Sequence, residues 1–90
     1  MQRLEAIVKG RGQGVGFRFF AKREAESLGL KGFVKNLGNG SVEVVVEGER
    51  NVLDSFLSSL KEGPSSGRVD NVLVSWMKPE KEFMGFSIRH

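Results

Sequence analysis

Ninety residues suffice for one domain with a single modest core, and 39% hydrophobic with 28% charged residues is the balance of a globular chain rather than a disordered or fibrous one. The absence of cysteine excludes disulfides and thiol chemistry, and a lone histidine, His90, leaves no Cys/His cluster to hold a metal. A net charge of +3, from 14 basic and 11 acidic residues, favours an anionic partner without saying which.

In chain order, the first segment carries charges inside its short apolar stretch and so reads neither as a signal peptide nor as a membrane span. Leu4, Ala6 and Val8 alternate with Arg3, Glu5 and Lys9, which predicts a strand over residues 3 to 10. The run Gly10-Arg11-Gly12-Gln13-Gly14-Val15-Gly16-Phe17-Arg18 follows. Phe17, Phe20, Ala21, Glu24, Ala25 and Leu28 then fall at helical spacing, with Gly29 placed to end the helix near Leu28 and Leu30 to pack back on it. Gly32 to Leu37 is a short second strand. Gly38-Asn39-Gly40 supplies an Asn-Gly pair suited to a tight hairpin, which leads into an antiparallel partner with Val42, Val44 and Val46 on one face.

A second helix is predicted from Asn51 as N-cap, with Asp54 three residues on. Its stripe is Val52, Leu53, Phe56, Leu57 and Leu60, and Gly63-Pro64 stops it. Ser65, Ser66 and Gly67 are loop. Val69, Val72, Val74 and Trp76 mark a further strand, and Phe83, Phe86 and Ile88 a short terminal one whose place in the sheet stays open. No repeat or low-complexity tract occurs.

This order points to an α+β ferredoxin-like two-layer sandwich. Two helices cover one face of an antiparallel sheet ordered 4-1-3-2, with a short C-terminal strand added. In that topology the first two strands run parallel with the third between them. The glycine run and Asn36 therefore come to the same sheet edge, which brings Arg18 and Asn36 towards each other.

Glycines at this density let successive N–H groups converge on one point, and the start of a helix adds unpaired donors and a favourable dipole for an anion. Arg18 adds a fork that matches two phosphate oxygens. Taken alone, the run is read equally well as a bare turn. The two familiar nucleotide-phosphate motifs are absent: there is no Gly-x-x-x-x-Gly-Lys-Ser/Thr, and no Gly-x-Gly-x-x-Gly is completed. If a phosphoryl group sits in the run, the Asn36 carboxamide can hold a water in line with the bond to be broken. With no thiol, no placed histidine and no obvious carboxylate pair, the site suits a leaving group that departs unprotonated. A carboxylate, whose parent acid has a pKa near ~4, meets that condition. Mixed carboxylic–phosphoric anhydrides are thus the indicated substrates.

On these residues the chain resembles the acylphosphatases over essentially its whole length, as one domain spanning residues 1–90. The family's first signature, Gly-x-Val-Gln-Gly-Val-x-Phe-Arg, is matched by Gly10, Gln13, Gly14, Val15, Phe17 and Arg18. Its second is matched by Gly32, Phe33, Val34, Asn36, Gly40, Val42 and Gly48, and Gly63-Pro64 with Arg68-Val69-Asp70 resembles a later segment. The resemblance implies hydrolysis of acyl phosphates without metal or cofactor. By motif, Arg18 becomes the phosphate-binding arginine and Asn36 the water-orienting asparagine. The backbone amides of Gln13, Gly14, Val15, Gly16, Phe17 and Arg18 become the cradle. Gly12 departs from the usual Val of the signature. The expected ligands are a small acyl phosphate and, as bound anion, inorganic phosphate or sulfate. A cytoplasmic monomer that engages neither nucleic acid nor membrane is expected.

The competing reading is a non-catalytic ferredoxin-like module that handles carbamoyl phosphate or binds nucleic acid. RNA-recognition sheets stack bases on aromatics of their first and third strands, and residues 3–10 and 41–48 contain none.

Overall fold

The computed structural model describes residues 1–11, 15–65 and 67–89. Along them run β1 (Gln2–Arg11), α1 (Val15–Ser27), β2 (Lys31–Asn36), β3 (Val42–Gly48), α2 (Arg50–Glu62), β4 (Arg68–Met77) and β5 (Phe86–Arg89). The strands form one five-stranded sheet in the order β4-β1-β3-β2-β5. β1 pairs antiparallel with β3 and β4, and β3 antiparallel with β2. β5, whose place the sequence leaves open, lies parallel to β2, so the sheet is mixed and not wholly antiparallel. The reason is the path of the chain. β4 and β5 occupy opposite edges, and residues 78–85 carry the chain across the end of the sheet where β4 finishes and β2 begins. From there the last strand can only run alongside β2 in the same direction. Phe83, expected in this strand, lies in the crossing segment.

Alternation along the strands puts one row of side chains under the helices. Leu4 faces Val46, Ala6 faces Val44 with Val34 beyond it, and Val8 faces Val42. All these residues are buried, together with Phe17, Ala21 and Ala25 of α1 and Leu53, Phe56 and Leu60 of α2. Each large apolar side chain removed from water in this way contributes roughly 1.5–3 kcal/mol. α1 packs over β2 and β5, and α2 over β4 and β3. In β4 the apolar residues break step between Val69 and Val72. The register shifts between Lys9 and Gly10, so that Asn71 faces Lys9 and Val69 faces Gly10, leaving Asp70 as the extra residue. This bulge returns Val69 to the core side.

The first helix ends as its sequence implies. Gly29 has φ 69°, its N–H donates to the Glu26 carbonyl, and the Leu30 N–H reaches back to Ala25 at 2.9 Å. The second begins earlier than predicted. Glu49, not Asn51, is the N-cap residue, and its side chain makes no capping bond. Its carbonyl accepts the Leu53 N–H at 2.9 Å. Arg50 is drawn into the helix by Asp54, at 3.2 Å, and by the Trp76 ring, whose centroid lies 3.6 Å from its guanidinium carbon. The β2–β3 connection is also longer than a two-residue hairpin. Leu37 donates to Ser41 across the loop at 3.0 Å, and only Gly38 and Gly40 take positive φ there, at 75° and 87°. A two-residue type I′ turn over Asn39-Gly40 would need positive φ at Asn39 as well.

The sheet face away from the helices is partly covered by the crossing segment. Arg3 and Glu47, paired across β1 and β3, are both buried there. Arg3 donates to Glu5 at 2.9 Å, Glu47 at 3.1 Å and Glu82 at 3.1 Å. Glu47 accepts the backbone N–H groups of Glu80 at 2.7 Å and Lys81 at 2.9 Å.

Candidate active site

The end of β1, the first turn of α1 and the end of β2 meet at one edge of the molecule. Because β1 and β2 are both antiparallel to β3, they point the same way, and α1 starts at the edge where both finish. α1 starts at Val15, and the first amides of any helix lack an acceptor within it while the helix dipole places positive charge at that end. Gly16 is exposed, and among the described residues no atom lies within 4 Å of where a Cβ would stand on it. Phe17 is fully buried and ties the turn to the core. Gln13 and Gly14, expected to complete the cradle, lie outside the described residues, as does Gly12.

Arg18 precedes the buried Ala21 and Ala25 by three and seven residues, so it lies on the sheet-facing stripe of α1. It is itself only 9% exposed, unusual for an arginine in a helix's first turn. Asn36 is the last residue of β2. It shares the parity of Val34, so its side chain is on the helix-covered face, and it pairs with Val42, which in turn pairs with Val8. One cross-strand row therefore runs Val8, Val42, Asn36, with the Asn36 Cα roughly 10 Å from that of Val8 at the usual strand spacing. The structure thus brings Arg18 and Asn36 into the same layer, between helix and sheet, at the same edge. Buried there, the Asn36 Oδ1 has no hydrogen-bond partner among the described residues. A buried acceptor in that condition costs about 1–3 kcal/mol, so it is a strong candidate for a ligand or a water to satisfy.

The sequence reading missed what holds the loop after Asn36. The Asn39 Oδ1 accepts the Ser41 N–H at 3.0 Å and the Ser41 hydroxyl. The signal was an Asn two residues before a Ser, the spacing of an Asx turn. Among the described residues no group of three or more His, Cys, Asp or Glu gathers as a metal site, and no helix is long and apolar enough to cross a membrane.

Fold and edge together define a small ferredoxin-like α+β protein with a helix N-terminus, Arg18 and Asn36 at one edge. The acylphosphatase family model matches residues 4–88. An acylphosphatase of Thermus thermophilus is 50% identical over 98% of this chain and 99% of its own length. One from Dehalococcoides mccartyi is 46% identical over the whole of both chains. The crystal structure of acylphosphatase from Bacillus subtilis superposes with a TM-score of 0.94 at 39% identity, covering 100% of each chain. The chain belongs to the acylphosphatase family, and it is a hydrolase of acyl phosphates. The non-catalytic alternative is not favoured.

Proposed function

We propose that the 90 residues act as one acylphosphatase unit in which the first-turn amides and the Arg18 guanidinium hold the phosphoryl group, while Asn36 directs the attacking water. The observation that carries this reading is the buried Asn36 Oδ1, without a hydrogen-bond partner among the described residues, on the same layer as the inward-facing Arg18. A carboxamide oxygen accepts a hydrogen bond from water and so aims the water's lone pair. Water oxygen bonds to phosphorus as the bond from phosphorus to the acyl oxygen breaks, and the carboxylate leaves with the electron pair. It needs no proton, because its parent acid has a pKa near ~4. The proton shed by water passes to a phosphoryl oxygen. Charge that grows on the phosphoryl oxygens is met by the fixed amides and by both prongs of Arg18.

The same reading makes inorganic phosphate or sulfate a competitive ligand of the corner, and takes the protein as a cytoplasmic monomer that engages no nucleic acid. It requires no metal, since water is positioned by an amide and the leaving group needs no Lewis acid. The test is phosphate release from acetyl phosphate by the purified chain in excess chelator. Undiminished turnover is expected, together with loss of turnover in Arg18→Ala. Chelator-sensitive turnover, or an active Arg18→Ala, would overturn the assignment.

A further inference from the structure

The loop that joins β2 to β3 carries an asparagine followed directly by a glycine, Asn39-Gly40, and both residues are exposed. The chain's other asparagines, Asn36, Asn51 and Asn71, precede Leu37, Val52 and Val72 and lie within β2, α2 and β4. In each of those pairs a bulky side chain on the second residue shields the peptide nitrogen, and a strand or helix holds the asparagine's backbone. Gly40 has no such shield. Among the described residues no atom lies within 4 Å of where its Cβ would stand, and no carbonyl accepts its N–H.

The Asn39 carboxamide is held against that nitrogen. Its Oδ1 accepts the Ser41 N–H at 3.0 Å, closing an Asx turn whose ring runs through the Gly40 peptide, so Cγ is folded over the Gly40 nitrogen. The same oxygen accepts the Ser41 hydroxyl. Two donors on one carbonyl oxygen make its carbon more electrophilic, and they stand where negative charge gathers when a nucleophile adds to it. We infer that Asn39 is a site of spontaneous deamidation, with the Gly40 nitrogen as nucleophile and the Ser41 N–H and hydroxyl as the donors to the developing oxyanion. The Gly40 nitrogen gives its proton to hydroxide and bonds to Cγ. The bond from Cγ to Nδ2 then breaks, and ammonia leaves with a proton taken from water. Water opens the resulting cyclic imide. Cleavage between nitrogen and Cγ gives aspartate, whereas cleavage between nitrogen and the main-chain carbonyl carbon gives isoaspartate. Aspartate keeps the acceptor for Ser41. Isoaspartate routes the chain through Cβ and Cγ, which lengthens the loop by one methylene and turns that acceptor into a main-chain carbonyl. The Ser41 carbonyl in turn accepts the Leu37 N–H at 3.0 Å, directly after Asn36, so the longer loop displaces Asn36. That consequence rests on the role proposed for Asn36; the modification itself does not.

The test is incubation of the purified full chain in warm, mildly alkaline buffer without denaturant. Samples are read by peptide mass spectrometry that separates isoaspartate from aspartate, and by acetyl phosphate turnover. Asn39 should convert ahead of Asn36, Asn51 and Asn71, and Ser41→Ala should slow that conversion severalfold. Turnover should fall in step with the isoaspartate fraction, whereas Asn39→Asp should keep turnover within about threefold, because it retains both the chain length and the acceptor. An Asn39 that outlasts another asparagine would overturn the site, and conversion in Ser41→Ala as fast as in the unaltered protein would overturn the part given to the hydroxyl. Full turnover in isoaspartate-rich protein would overturn the link to Asn36 while leaving the modification standing. Because conversion is read by mass, it stands or falls apart from the acyl phosphate reading.

Discussion

Arg18 stands where the inward stripe of α1 reaches the open edge of the sheet, and its near-complete burial sets the terms of its chemistry. A guanidinium there keeps its charge and presents two parallel donors in one plane, whereas an ammonium presents a single point and is more strongly hydrated. Arg18→Lys should therefore lower kcat/KM for acetyl phosphate by about two orders of magnitude, the scale of a lost transition-state contact. Retention of more than half the activity would show that charge alone suffices. The residue was legible before the structure because it closes a motif. Its burial was not, since first-turn arginines usually face solvent. Asn36 was similar. Its proposed role comes from the motif and its edge from topology, but an Oδ1 with no partner among the described residues is a property of the packed layer that no local pattern encodes.

At the scale of elements, the second motif is explained by how β2 meets β3. Gly32 pairs with Val46, and a Cβ on it would stand 1.8 Å from the Val45 carbonyl oxygen, inside any real contact. The glycine is there so that two backbones can approach and bring β2, with Asn36 at its far end, into register. Gly32→Ala should destabilise the protein by about 3 kcal/mol, the upper range for overpacking, measured by urea unfolding. A change within 0.5 kcal/mol, the scatter of ordinary surface changes, would show that the strand simply moves aside. Periodicity found every helix and strand because the apolar rows are regular. It erred at ends and turns. Asn51 looked like a cap, yet Arg50 is pulled into the helix by Trp76, a residue of the fourth strand. The Asn39-Gly40 pair looked like a two-residue hairpin, yet Asn39 instead bonds Ser41. Both errors came from partners that local spacing does not show.

Across the whole molecule, the crossing segment 78–85 is anchored on the outer sheet face by Arg3 and Glu47. Burial alone would lower the Arg3 pKa, but hydrogen bonds to Glu5, Glu82 and Glu47 outweigh it and raise it. Burial alone would likewise raise Glu47, but the backbone N–H groups of Glu80 and Lys81, with Arg3, outweigh it and lower it. A carboxyl lowered on folding contributes stability that is complete above its unfolded pKa, near ~4.3, and is lost as pH falls through the folded value. Glu47→Gln should cost about 3 kcal/mol at neutral pH, as expected for breaking a buried pair, and should flatten the acid limb of stability against pH in urea titrations. An acid limb as steep as that of the unaltered protein would assign acid sensitivity to other carboxylates. This anchor lies at the opposite end of the sheet from Arg18 and Asn36, so the variant separates stability from turnover. The division of labour at the active edge is tested most directly by Asn36→Ala, assayed for acetyl phosphate turnover and for competitive inhibition by inorganic phosphate. Turnover should fall by two to three orders of magnitude, as when a transition-state donor or acceptor is removed, while the inhibition constant stays within about threefold because the anion is held by other groups. Full turnover in Asn36→Ala, or phosphate inhibition lost along with it, would contradict the proposed mechanism.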